Sequence, residues 1–360
     1  MRAMWPGGEV TRRLGIRWPI IQAGMAGGTT TPELVAAVSQ AGGLGTLGAG
    51  YMSGEQIRTA IRAIRTLTDR PFAVNLFIPE EGAADDQTSP GENVRRVMNE
   101  ARRRLGIPEN PDPGKAAEPF PEQMAAVLEE RVPVFSFTFG RLDAGYLAAC
   151  KERGICVIGT ATTVREGLAL QESGCDMVVA QGSEAGGHRG SFLPDSPQNQ
   201  IGLMALLPQM ADRLSIPVIA AGGIMDGRGI AAAFMLGAEA VQLGTAFLLT
   251  EESGAHPLHK QAVLASTDES TMLTRAFSGK AARGVANSFM EKLAPYNDEI
   301  PAYPWQNAHT RDIRQAAAKQ GRTEYLSMWA GQAGSLGRPL RAEQLLEKLV
   351  AETEELTRRR

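Results

Sequence analysis

The sequence predicts an α/β fold, a (β/α)8 TIM barrel with an insertion after strand 3 and a mainly helical C-terminal extension packed on the barrel. Three observations predict it. Short β-branched runs alternate with helical patterns from residue 20 to residue 250, the signature of βαβ units and a parallel sheet. There are eight such runs, where a doubly wound sheet ordinarily has about five or six. No Gly/Ser or Pro-rich linker sets off residues 251–360, so one domain is expected over 1–360, its barrel core at about 15–250.

In order, the runs cover residues 19–23, 44–47, 72–77, 132–137, 156–159, 177–181, 217–220 and 240–243. The helices between them carry their own start and stop signals. Thr31 with Pro32 opens one that buries Leu34, Val35 and Val38 and stops at Gly42. Ser53 with Gln56 predicts a capping box ahead of Ile57, Ile61 and Ile64, and Thr163 with Glu166 predicts a second. Asp226 opens a later helix that Gly237 ends. Two long gaps between runs hold insertions. The first, 79–130, is rich in Pro and acid around a basic helix near 93–105 and is expected to extend the third βα connection beside the barrel mouth, a decorative loop being the alternative. Residues 251–360 read as mainly helical and end in an amphipathic helix with Leu345, Leu346 and Leu349.

With 43% hydrophobic and 21% charged residues the chain can bury a sizeable core. The net charge of −3, with Lys and Arg spread along the chain, gives no case for nucleic acid or an anionic membrane. The basic spots at 102–104 and 358–360 read as a solvated helix face and a frayed terminus. Neither a signal-peptide core nor a run of about 18 apolar residues is present, so a cytoplasmic location is expected. Cys150, Cys156 and Cys175 are odd in number, lack a C-x-x-C pair and read as buried reduced thiols. No ligand pattern suggests a metal, and no G-x-S-x-G elbow suggests a hydrolase.

Active-site residues of this fold project from the C-terminal ends of strands. Those ends are polar or glycine-rich: Ala23-Gly24-Met25, Asn75, residues 136–140, Thr160, Gln181-Gly182, Gly222-Gly223 and Gln242-Leu243-Gly244-Thr245. The last two groups end runs seven and eight, where barrels commonly bind phosphate through bare backbone N–H groups. One phosphate site with no partner for an adenosine half points to a mononucleotide. Asn75, Gln181 and Gln242 are carboxamides on separate strand ends, suited to the alternating donors and acceptors of a flavin, although such amides also tie loops together. Gly43, Gly45 and Gly48 fit G-x-G-x-x-G, but the word follows a helix and contains the strand itself, which contradicts a dinucleotide reading.

The segment 181–192, QGSEAGGHRGSF, brings His188 to the mouth between glycines. Of four histidines it alone lies on a predicted catalytic loop, where a neutral imidazole takes a proton or holds an anion. His256, His259 and His309 read as surface or packing residues.

Together these residues resemble the nitronate monooxygenase family, formerly called 2-nitropropane dioxygenases. The shared words are PIIQAGMAGG at 19–28, AGGLGTLGAGY at 41–51, FAVNLF at 72–77, SFTFG at 136–140, GTATTVREG at 159–167, QGSEAGGHRG, AAGGI, QLGTAF and SMWAGQAG at 327–334. The resemblance implies FMN bound at Asn75, Gln181, Gly186, Gly223 and Gln242 to Thr245, with Met25 and the backbone near Ala23 along the flavin face. His188 is implied as the catalytic residue, lining the substrate site with Met25 and Thr138. At Thr138 some relatives carry a second histidine, which puts substrate preference in question. The implied reaction is oxidation of an alkyl nitronate, such as propionate 3-nitronate, by O2 to a carbonyl compound and nitrite. Two alternatives stay open: an FMN-dependent NADH reductase of enoyl-acyl carrier protein or quinone, and a non-catalytic flavin- or phosphate-binding module. The sequence leaves the oligomeric state open.

Overall fold

All eight expected runs form strands: β1 Ile20–Gln22, β2 Gly45–Gly48, β3 Phe72–Phe77, β4 Val134–Thr138, β5 Cys156–Ala161, β6 Met177–Gln181, β7 Val218–Ala221 and β8 Ala240–Leu243. They come from a computed structural model that describes residue 5 and residues 8–80, 89–193 and 200–358. Outside those residues lie the acidic start of the first insertion (81–88), part of the second (194–199), the end of the basic terminus (359–360) and most of residues 1–7.

Every pairing in the main sheet is parallel, in the order β1-β8-β7-β6-β5-β4-β3-β2. A parallel bridge between Ile21 and Leu44 joins β1 to β2 and brings the sheet round to a barrel. Buried Gln22 ties this seam: its Oε1 accepts from Thr46 N at 2.9 Å while its Nε2 donates to Thr46 O at 3.2 Å. Strand side chains alternate between two cores, as a period of two demands. Ile21, Leu44, Ala73, Val134, Ile158, Val179 and Ile219 fill the interior, and helix Glu9–Leu14 adds Val10 and Leu14 to that cluster. Ile20, Leu47, Val74, Phe135, Val157, Val178, Val218 and Val241 pack outward against the helices.

The glycine word at 43–48 serves this packing. A Cβ at Gly45 would lie 2.1 Å from Val35 O on helix Pro32–Gln40, and one at Gly48 would lie 2.5 Å from the Met25 backbone carbon. Helix signals are met at Thr31, whose hydroxyl accepts from Leu34 N, at the reciprocal Ser53–Gln56 box, and at Asp226. The second expected box is only half formed. Thr163 caps Glu166 N, but the fully buried Glu166 carboxylate turns elsewhere, accepting from Thr162 N and Oγ1 and from Phe192 N and Leu193 N. It pins the end of the 181–192 loop instead of its own helix.

The first insertion divides in two. Helix Phe120–Glu129 packs on helix Gly54–Leu67, with Arg58 paired to Glu129, and serves as an outer barrel helix. Helix Glu92–Leu105 instead buries Val94, Val97, Met98 and Leu105 against Phe277, Phe289, Leu293 and Ile313 of the C-terminal part. Arg102, read as solvated, is buried and pairs with Asp312 at 2.8 Å; Arg103 and Arg104 are the exposed ones.

The C-terminal part is mainly helical, with one addition. Thr271–Thr274 and Ala282–Val285 form an antiparallel pair that Gly187–His188 joins as third strand. Helix Ala342–Arg358, carrying buried Leu345, Leu346 and Leu349, packs on helices Gly227–Met235 and Pro32–Gln40. It takes the place of the eighth barrel helix, because the helix directly after β8, Thr245–Leu248, is a single turn. The three cysteines are free, and burial pushes their thiols up to about 11 or 12. No helix among the described residues is long and apolar enough to cross a membrane.

Candidate active site

A cavity opens at the C-terminal ends of the strands, and every residue singled out for a site above lines it except Phe137, Gly140 and Gly182. Gly182 sits behind the wall, where its N–H bonds Ala221 O and its carbonyl accepts from Arg189.

One side of the cavity is a rim of backbone. Gly222 and Gly223 leave β7 with φ of +118° and +68°, conformations L side chains rarely adopt, whereas Gly244 has φ −99° and open space beside it, a Cβ there meeting only Ala23 Cβ at 3.7 Å. Among the described residues the N–H groups of Gly222, Gly223, Gly244 and Thr245 have no hydrogen-bond acceptor. Four backbone donors left together at one polar rim fit an anion, since such groups are ordinarily satisfied. The Thr245 hydroxyl accepts from Gly331 N at 3.0 Å, tying the rim to the C-terminal part.

The three carboxamides differ. Gln242 faces the cavity with no hydrogen-bond partner among the described residues, and Asn75 uses only its Nδ2, on Ser136 Oγ at 2.9 Å. Gln181 is committed to its own loop: Oε1 accepts from Gly190 N at 2.8 Å and Arg189 Nη1 at 3.1 Å, and Nε2 donates to His188 O at 3.0 Å. Two amides therefore remain open for a ligand, and the third shapes the loop.

That loop is held from both ends. Arg189, fully buried, donates to Gly182 O at 2.6 Å, and burial pushes its guanidinium down to about 10, against the pull of Glu166 and Glu184. Thr138 and Thr160 support it from below, where a Cβ on Gly190 would meet their methyl groups at 3.2 and 2.8 Å. From the other side Ala282 pairs with His188 in the small sheet and Arg189 N donates to Ala281 O.

His188 consequently stands in a ring of aromatic side chains, with centroids of Trp329 at 5.5 Å, Phe139 at 5.6 Å, Tyr303 at 6.2 Å and Phe77 at 6.3 Å. Its Nε2 lies 2.8 Å from Ser278 Oγ. Burial, then the charges of Lys280 and Arg314, push the imidazole down to about 3, so it is neutral across the working range of pH. Phe139 holds φ +81°, a strained conformation for a bulky residue, and Lys280 Nζ lies 4.8 Å from its ring.

Sequence reasoning missed Tyr51, Phe77, Phe139, Ser278, Tyr303 and Trp329 as site residues. Phe139 and Trp329 lie inside words quoted above, but nothing local marks Ser278 or Tyr303. His259 is a packing residue as read, donating its Nε2–H to Trp329 O at 2.9 Å, yet it also lines the cavity, and burial pushes it down to about 4.

Comparison with known proteins places this arrangement. The sequence model of the family described as "Nitronate monooxygenase" matches residues 10–352. A "Probable nitronate monooxygenase" of Staphylococcus haemolyticus is 46% identical over 98% of this chain and 99% of its own length, and one of Staphylococcus saprophyticus is 46% identical over the same shares. Among solved structures, nitroalkane oxidase from Streptomyces ansochromogenes superposes with a TM-score of 0.88 at 40% identity, covering 97% of this chain and 99% of that one. FabK from Thermotoga maritima superposes with a TM-score of 0.76 at 32% identity, covering 97% of each.

Proposed function

Since this chain belongs to the nitronate monooxygenase family, a family of flavin-dependent oxidoreductases, we propose that it binds FMN at the glycine rim and oxidises alkyl nitronates, such as propionate 3-nitronate, with O2 to a carbonyl compound and nitrite. The free N–H groups of Gly222, Gly223, Gly244 and Thr245 support a phosphate there, and the open carboxamides of Gln242 and Asn75 suit the flavin's polar edges. FMN, when bound, supplies the electron-accepting chemistry that no side chain offers. The protein's part is orientation and charge placement.

The observation that carries the substrate reading is the state of His188. An imidazole pushed down to about 3 is a weak base, poorly matched to pulling a proton from the carbon of a neutral nitroalkane. A nitronate has already lost that proton. The neutral ring shapes the site without needing to titrate, and the positive charges of Lys280 and Arg314 that act on it favour an anionic substrate. Phe77, Phe139, Tyr303 and Trp329 exclude water around the reacting carbon.

The test is to mix purified holoenzyme anaerobically with propionate 3-nitronate and, separately, with NADH, following the flavin absorbance, then to admit O2 and assay nitrite. Reduction by the nitronate and nitrite release are expected. Reduction by NADH alone, with no nitrite from nitronate, overturns the reading in favour of a reductase.

A further inference from the structure

Beyond His188 the cavity continues into a second, outer chamber of about 610 Å³, within the range of small-molecule pockets. His188 and Tyr51 line both chambers and stand at their junction. The outer wall carries Arg311 and Arg314, from helix Arg311–Gln320. Arg314 Nη2 donates to Asn307 O at 2.7 Å and Asn307 Oδ1 at 2.8 Å, and its Nε reaches Thr310 O at 3.4 Å; Arg311 Nη2 donates to Lys115 O at 2.9 Å. All of these acceptors are neutral. Among the described residues no carboxylate lies within ion-pair distance of either guanidinium, and Asp312, between them in sequence, is turned onto Arg102 at 2.8 Å. The other charged pair on this wall, Lys115 with Glu118, neutralises itself at 2.7 Å.

A guanidinium enclosed without a counter-ion is costly; buried Arg102 is paired with an acid, and buried Arg189, though bonded to neutral acceptors, has the charges of Glu166 and Glu184 acting on it. Burial lowers Arg314 from its ordinary value, yet at that starting height it stays charged. Beside it stand Tyr51 and Tyr303, whose phenols burial pushes up, so both stay protonated. The wall therefore offers fixed positive charge and a phenol donor, one chamber away from the residue that would hold the nitronate.

We propose that the outer chamber receives an anionic tail: Arg314, with the Tyr51 hydroxyl and with Arg311 further out, binds a carboxylate at the far end of a short nitronate, and so selects ω-carboxylate nitronates over plain alkyl ones. This rests on the nitronate reading and names its substrate class. Arg314 is then the specificity-determining residue, acting on the tail and not on the reacting carbon.

The experiment compares kcat/KM for propionate 3-nitronate and for propyl-1-nitronate, which lacks the carboxylate, in the holoenzyme and in Arg314→Met, with succinate as a dead-end dianion titrated calorimetrically into each. The parent is expected to prefer the carboxylate substrate at least tenfold. In Arg314→Met that preference is expected to shrink at least tenfold, mostly through KM, and succinate binding to disappear. Because Arg314 also anchors Asn307, Arg314→Lys serves as a second variant that keeps the cation and should retain most of the preference. Equal kcat/KM for both substrates in the parent, or succinate binding that survives Arg314→Met, overturns the proposal. So does binding of NADH that needs Arg314 while succinate stays inert. If the parent oxidises no nitronate, the functional reading fails, and the succinate titration still decides separately whether the chamber is an anion site.

Discussion

The two sides of the cavity are built by different means. The rim at Gly222, Gly223, Gly244 and Thr245 is backbone at the ends of two adjacent barrel strands, and it depends on side chains being absent. The opposite side, His188 and its aromatic ring, is made of side chains whose positions come from far along the chain: Ser278, the strand Ala282–Val285, Tyr303 and Trp329. A barrel fixes the first kind of site by its own geometry. The second kind needs a clasp, supplied by the C-terminal part and by the buried Gln181–Arg189 network. Damage to the rim should therefore remove the cofactor, and damage to the clasp should alter chemistry with the cofactor still in place.

The largest effect expected from breaking this division is at the rim. Gly244→Asp has an allowed backbone and open space, so it tests charge alone, whereas Gly223→Asp would add strain at φ +68° and contact with Glu184. At an effective dielectric of about 20, like charges about 4 Å apart repel by about 4 kcal/mol. FMN affinity is expected to fall at least about a thousandfold, with circular dichroism and melting temperature close to the parent. Flavin retained at parental affinity would move the phosphate away from this rim.

On the clasp side, His188→Asn is expected to keep flavin and to cut nitronate oxidation about ten- to a hundredfold, roughly 1.4 to 2.7 kcal/mol, because a nitronate needs no base and only positioning is lost. Any activity on a neutral nitroalkane should nearly vanish, since asparagine takes no proton. Both activities and bound flavin are read in one preparation. Full neutral-nitroalkane activity with flavin bound would remove His188 from the proton-transfer role, and loss of flavin would collapse the distinction between the two sides.

The same contrast explains how much was legible in the sequence. The barrel showed because each βα unit carries its own local signals, and β3, β6 and β8 match their expected runs residue for residue. The rim showed because glycine is a visible letter wherever backbone must be bare. Ser278 and Tyr303 did not show, because nothing within a few residues of either marks a site; their role arises from pairing a late hairpin with a two-residue strand at Gly187–His188. Gln181 lines the cavity as expected, but its bonds to its own loop did not show, for a related reason. A carboxamide at a strand end reads alike whether it faces a ligand or, as here, the carbonyl of His188 and the buried Arg189. Glu166 likewise fits a capping box by spacing, and only the packing of Phe192 and Leu193 decides its direction.

A smaller effect, on stability, should also separate the sides. His259 anchors the clasp through Trp329 O and is pushed down to about 4 by burial. A histidine depressed in the folded state binds protons more readily when unfolded, so acid favours unfolding. Its contribution is intact above about pH 6.5 and is lost as pH falls from there toward 4, at up to about 1.4 kcal/mol per pH unit. His259→Gln, which keeps a donor, should lose less stability than the parent between pH 6.5 and 4 in denaturant titrations. Parallel pH profiles for the two proteins would show that His259 takes up its proton without opening the clasp.

The smallest effect, and the one that most sharpens the clasp, concerns Ser278. Its hydroxyl has one proton and three neighbours: His188 Nε2 at 2.8 Å, Lys280 O at 3.1 Å and Lys280 N at 3.3 Å. The amide of Lys280 must donate and its carbonyl must accept. All three contacts are satisfied at once only if the hydroxyl gives its proton to Lys280 O and accepts from both nitrogens, which puts the imidazole proton on Nε2 and leaves the lone pair on Nδ1. Were the hydroxyl to donate to His188, the Lys280 carbonyl would lose that bond. Ser278 thus sets the tautomer and not the chemistry itself. Ser278→Ala is expected to lower kcat for nitronate about three- to tenfold, the worth of one hydrogen bond of roughly 0.7 to 1.4 kcal/mol, with flavin content unchanged. Nitrogen-15 spectra of labelled protein should show the Nε2–H form in the parent and a mixture of tautomers in the variant. A merely structural serine would leave that signature unaltered, and an Nδ1–H form in the parent would reverse the assignment.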